Sequence, residues 1–272
     1  MKSPNQNKSR RQLGFSLLEM MVGAAIFLVI SGAVMSLLGV SQKRYKTDTQ
    51  VLSAFQEARL ALDQMSRDIG DAGYPPQNQF TNASLNPTGY AQSPFAWLGT
   101  VYPTTPCTLG GTCTTPGDFD IIVETDIDNN GTVDWVRYQL VGTTLFRGVV
   151  PKTVAGPTAA FATPGVMAPY VTNVVNNAPA TTIASLNADY PGLYPGGNPV
   201  PVFTYNCDLP SPPNPAGSTA TCSAAAGTTN SPTNIREVGI TLIVRTQGTD
   251  EQSGEIRAVS LKGLARRINP NQ

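Results

Sequence analysis

The sequence predicts an α+β protein in which one long N-terminal α-helix, transmembrane in its first half and amphipathic in its second, packs on an antiparallel β-sheet head with long loops. Three observations predict it. Residues 15–40 form an almost unbroken apolar run, residues 51–69 carry apolar side chains at three- and four-residue spacing, and several later segments alternate apolar with polar residues. Only 13% of the 272 residues are charged, while 25 are Gly and 23 are Pro, a composition that fits a β-rich, loop-rich extracellular protein. The apolar residues are unevenly spread, so the chain reads as one membrane-anchored domain with long insertions.

The helix is taken first. Residues 1–14 hold Lys2, Lys8, Arg10 and Arg11 and no acid. The 26 residues of 15–40 make a helix of about 39 Å, enough to cross a hydrocarbon core of about 30 Å. A secretory signal places its small-residue cleavage site after the apolar core, whereas here Gly14 precedes it, so cleavage there removes the basic leader and keeps the helix. The whole chain is neutral, with 18 bases and 18 acids; losing the leader's four bases leaves 14 against 18, a net charge of −4. That balance gives no electrostatic footprint for nucleic acid, and none is expected as a partner. Lys43, Arg44 and Lys46 beyond the run blunt the charge asymmetry, so the orientation rests on the motif more than on charge.

Glu19 interrupts the apolar run, and a carboxylate there costs about 2.5–3.5 kcal/mol on insertion scales. Either it reaches the headgroups from near the helix end, or a cation compensates it. After cleavage at Gly14 the new α-amine of Phe15 in a neighbouring copy would be such a cation.

Gly14-Phe15-Ser16-Leu17-Leu18-Glu19, behind a basic leader and ahead of a membrane-length run, resembles the signal of type IV prepilins and type II secretion pseudopilins. The resemblance implies a pilin fold, cleavage after Gly14 by a prepilin peptidase, methylation of Phe15, and Glu19 as the assembly carboxylate. It implies a single-pass inner-membrane protein with a periplasmic head, later assembled into an extracellular pilus. Major pilins often carry a helix-bending proline where this chain has Ser36, which points to a minor subunit.

Past residue 40 the pattern stays helical. Val51, Phe55, Ala58, Leu62, Met65 and Ile69 line one face, expected to lie on the sheet, while Glu57, Arg59, Asp63 and Arg67 mark a solvated side. Gly70 to Gly73 and then Pro75 and Pro76 end the helix. The residues 58–63, followed by Arg67-Asp68-Ile69-Gly70-Asp71-Ala72-Gly73-Tyr74, are similar to the stalk end of PilW-type minor pilins, and the J-type pseudopilins share much of it. The segments so defined are the leader at 1–14, the membrane half at 15–40, the amphipathic half at 41–74 and the head at 75–272.

In the head, residues 119–125, 135–141 and 144–150 read as a meander, and 238–244 with 256–264 as a second pair, together one sheet for the helix to cover. Residues 75–118 and 151–234 read as surface loops that leave room for short strands, with short apolar pieces such as 200–205. Four cysteines allow three pairings; in an oxidising compartment the local ones, Cys107 with Cys113 and Cys207 with Cys222, are favoured. Zinc is disfavoured by the spacing and by the absence of histidine.

Residues 126–134 place Asp126, Asp128, Asn130 and Asp134 around Gly131 as in the start of an EF-hand-like calcium loop. Arg137 stands where the bidentate Glu belongs, so a plain hairpin turning on Asn130-Gly131 and a calcium-stabilised one both remain open; no other cofactor is expected.

The chain has no histidine for a Ser-His or Cys-His pair and no glycine-rich phosphate loop, so an enzyme is not expected. The resemblance implies a minor pilin that helps initiate a type IV pilus near its tip, with other minor pilins, the major pilin and the inner-membrane assembly platform as partners. Two alternatives are a type II secretion minor pseudopilin and a filament-borne adhesin that binds through its cysteine loops.

Overall fold

The computed structural model describes residues 16–80, 88–96, 116–153, 156–209, 218–222, 234–249 and 256–268. Helix α1 (Leu17–Gly70) runs for 54 residues, about 81 Å at 1.5 Å per residue. Its two halves differ as the sequence pattern dictates. No residue of α1 before Ala58 is buried, and Leu17, Phe27, Val29 and Met35 each expose most of their surface. From Ala58 onward the stripe of Ala61, Met65, Asp68 and Ile69 is buried, with Leu62 packed at its edge. The turn after α1 takes Gly73 to φ +90°, a region glycine enters freely.

The head holds two antiparallel sheets where the sequence reading expected one. The first orders β1 (Phe95–Ala96), β2 (Asp120–Thr125), β3 (Asp134–Val141), β4 (Thr144–Pro151) and β5 (Met167–Val171) consecutively. The second orders β7 (Thr219–Thr221), β6 (Phe203–Asp208), β8 (Ile235–Thr249) and β9 (Ile256–Arg266). The expected strands are present within a few residues, and the described part of 151–234, expected as loops with room for short strands, contributes the short strands β5, β6 and β7 and also two helices that were not expected, α2 (Pro157–Phe161) and α3 (Ala180–Asp189). These elements are short, and their apolar residues gain partners only from distant strands, so local periodicity is weak.

The two pairs become separate sheets because β6 takes the edge of β8 that the meander would have needed, with Phe203 opposite Ile240. Asn176, fully buried in the segment after β5, ties that segment and Val200 to β8: its Oδ1 accepts the Ile243 amide (2.7 Å) and its Nδ2 donates to Val200 O (3.1 Å) and Thr241 O (2.9 Å). A side-chain amide thus supplies the ladder bonds that a strand would otherwise make.

The main core lies where α1 crosses β8 and β9 and meets the inner face of the first sheet: Met65, Ile69, Phe95, Val136, Tyr138 and Leu242 are among its members. Alternation sends Ile122, Trp135 and Val150 to the opposite face of the first sheet, where Phe161 of α2 covers them. Ile183 and Leu186 of α3 cover Ile243 on the outer face of β8. The described head therefore packs around three apolar clusters, one between α1 and the two sheets and one behind each sheet, with the first half of α1 unburied.

Candidate assembly site and stalk joint

Gly14, Phe15 and the leader lie outside the described residues, as do Cys107 and Cys113. Glu19 is described. Ser16 precedes the first turn of α1, and its amide donates to Glu19 Oε2 at 3.0 Å. This is half of a capping box, in which a carboxylate three residues in satisfies an amide at the helix start and meets the positive end of the helix dipole. Glu19 therefore has an intrachain partner in the single chain, and it lies on a helix segment whose every neighbour is apolar and exposed. Among the described residues α1 is the one helix long and apolar enough to cross a membrane, and its apolar stretch is not buried against the head.

The far end of α1 is held by a buried polar joint. Asp68 is 5% exposed; its Oδ2 accepts Tyr138 Oη at 2.5 Å and Arg147 at 3.0 Å, and its Oδ1 accepts Gln64 at 2.7 Å. Arg147 Nε also donates to Tyr138 Oη at 2.9 Å. One carboxylate on the helix is thus locked to β3 and β4. Burial, then the charge of Asp68 and its hydrogen bond, push the Tyr138 phenol well above its ordinary range. Arg267 makes the matching lock to the second sheet: Nε donates to Ala72 O (3.3 Å) and Nη1 to Ile235 O (2.9 Å), while Ile268 N bonds Gly70 O (2.9 Å). Burial brings this guanidinium down to about 10, with Arg236 adding to the effect and Asp208 opposing it.

The sequence reading treated charges near the end of α1 as solvated and assigned Asp68 no role. The available signal was spacing: Asp68 follows Met65 by three and so falls on the apolar stripe. Glu57, read as surface charge, accepts the Thr172 amide at 3.1 Å and ties the helix to the end of β5. Glu124 and Lys152 form a buried pair at 3.1 Å behind the first sheet, where Trp135 Nε1 and the Gln92 amide also donate to Glu124. Burial pushes Glu124 up and Lys152 down, each opposed by its partner.

Between β2 and β3, carboxylate oxygens of Asp126, Asp128 and Asp134 all lie within 4.8 Å of one another. Asp126 accepts the amides of Asn130 (3.1 Å) and Gly131 (2.9 Å), and Asn130 Oδ1 accepts Thr132 N (2.8 Å). Asn130 turns its Nδ2 toward Asp128 at 2.8 Å, so its amide oxygen faces the turn backbone rather than the three acids. Positive φ falls on Asn129 and Gly131. Arg137, at the twelfth position, pairs with Asp120 at 2.6 and 3.0 Å. Asp134 is pushed up by burial first and then by the charges of Asp128 and Asp126, opposed by the Ile127 amide. An all-oxygen set of this kind suits a hard divalent cation, with water or backbone oxygens needed to reach six or more ligands.

Cys207 and Cys222 are joined as a disulfide with a Cα separation of 5.0 Å, holding β7 against β6.

Residues 9–35 match the model of the prokaryotic N-terminal methylation motif, which covers Gly14, Phe15 and Glu19. No curated protein and no solved structure matches the chain significantly. This motif, at the head of an uncovered, membrane-length helix followed by an antiparallel β-rich head, makes the chain similar to type IV pilin-like, prepilin-type proteins.

Proposed function

We propose that the protein is a minor pilin of the PilW type, a non-enzymatic subunit that helps initiate a type IV pilus just below its tip. The observation that carries this reading is the first half of α1: fully exposed, apolar and carrying one carboxylate, it has no partner in its own head. In the proposed filament, cleavage after Gly14 frees the Phe15 amine, and Glu19 exchanges its bond to the Ser16 amide for that cation on a neighbouring subunit. A subunit with nothing above it needs no such carboxylate, which places one that has it below the tip. The head stays on the periplasmic side of the inner membrane until assembly, with the other minor pilins and the assembly platform as partners.

Mass spectrometry of the protein isolated from cells is expected to show N-methyl-Phe15 at the N-terminus, and Glu19→Ala to reduce incorporation into pili. A chain still beginning at Met1, or full piliation with Glu19→Ala in normal subunit content, overturns the proposal. A secretion defect with intact pili would assign the same assembly chemistry to a type II secretion pseudopilin instead.

A second proposal concerns the turn between β2 and β3, where Asp126, Asp128 and Asp134 converge: we propose that this turn takes up calcium, the ion offsetting the burial of Asp134 and the repulsion among the three carboxylates. Titration calorimetry is expected to show calcium heat at millimolar ion, lost in Asp134→Asn; absence of heat leaves the hairpin held by its own amide bonds.

A further inference from the structure

A groove of about 370 Å³ opens on the outer side of the second sheet, between the polar face of α3 and the ends of β8 and β9. Its size falls within the range of about 300–1,000 Å³ of small-molecule sites. Thr182, Ser185 and Asp189, at spacings of three and four along α3, form one wall, and Arg245 and Thr249 of β8 form the other. Leu186 and Ile256 floor it with apolar surface. The walls are fixed. Ile183 and Leu186 anchor α3 to Ile243, and Tyr190 Oη, just past α3, donates to Ile256 O at 3.2 Å.

Arg245 is what makes this groove unusual. Arg245 lines the groove and its buried Nε has no acceptor among the described residues, although a buried guanidinium N–H almost always has one. Asp189 lines the same groove without forming an ion pair with it. The groove therefore presents a forked cationic donor, several hydroxyls and one carboxylate acceptor around an apolar strip. A guanidinium fork matches a carboxylate in two-point geometry, and the hydroxyls with Asp189 match a ligand that carries hydroxyl groups of its own. We infer that this groove binds a saccharide residue bearing a carboxylate, with Arg245 on the acid and Ser185, Thr182 and Asp189 on the ring hydroxyls.

The inference is independent of the pilin assembly reading, since the residues it uses lie on α3, β8 and β9 and not on α1. The test uses the full chain in detergent micelles, with saturation-transfer NMR and calorimetry against glucuronate, glucose and acetate. Glucuronate is expected to bind with a millimolar Kd, at least tenfold more tightly than glucose or acetate. Arg245→Met, which keeps the apolar stem, is expected to lose tenfold or more. Ser185→Ala, at an exposed helical position where folding is safe, is expected to lose two- to fivefold, with melting temperature recorded for both variants. Equal binding of acetate reduces the site to a simple anion site, equal binding of glucose removes Arg245 from it, and absence of glucuronate binding, or binding unchanged in both variants, overturns the inference outright.

Discussion

Asp68 sits in the second half of an otherwise apolar helical stripe, and it is tolerated there because Tyr138, Arg147 and Gln64 all donate to it. Removing one member of such a buried network strands the others, at a cost of about 3–5 kcal/mol. Asp68→Ala is accordingly expected to lower the stability of the head by about that much, and Asp68→Ala with Arg147→Met by less than the sum of the single changes, measured by denaturant unfolding. Tyr138 adds a pH signature. Its folded pKa lies above its unfolded value of about 10, so its contribution is complete below pH 10 and is lost as pH rises through the folded value. Above pH 10 the wild type should therefore lose stability more steeply than Tyr138→Phe, by about 1.4 kcal/mol per pH unit. Parallel slopes for the two proteins would mean that the phenol ionises as freely in the fold as outside it.

At the scale of elements, α1 reaches the second sheet through a missing side chain. A Cβ at Gly263 of β9 would stand 2.6 Å from Leu62 Cδ2, so the Leu62 side chain fills the space a side chain there would need and would have to move aside. Gly263→Val is expected to cost about 1–3 kcal/mol through overpacking, and Leu62→Ala in the same chain to recover part of it. A destabilised double variant no better than Gly263→Val alone would show that the helix contacts the strand elsewhere. The edge strand β7 is held differently. It has three residues, and the Cys207–Cys222 bridge closes 15 residues around its turn. Bridges over loops of that length contribute about 3 kcal/mol by the chain-entropy argument, so reduction is expected to lower the melting temperature and to expose β7 amides to hydrogen exchange.

At the scale of the whole molecule, the protein divides by burial. Gln50 of α1 approaches Gly248, and no residue of α1 before Ala58 is buried. A chain starting at Thr47 is thus expected to be soluble without detergent and to melt within a few degrees of the full chain; aggregation or loss of cooperative unfolding would show that the projecting half supports the head. The sequence by itself determined the long helix, its division into membrane-length and amphipathic halves, Glu19 within the apolar run, and the strands β2, β3, β4, β8 and β9. Each of these is written in local periodicity or in contiguous motif residues. What only the tertiary structure decided was the split into two sheets, the places of β5, β6 and β7 in them, the burial of Asp68, the hydrogen bonds of Asn176, and the groove beside α3. These depend on partners far apart in sequence, as Asp68 with Arg147 or Asn176 with Ile243, and a helix or strand pattern records which face is apolar but not what that face will meet.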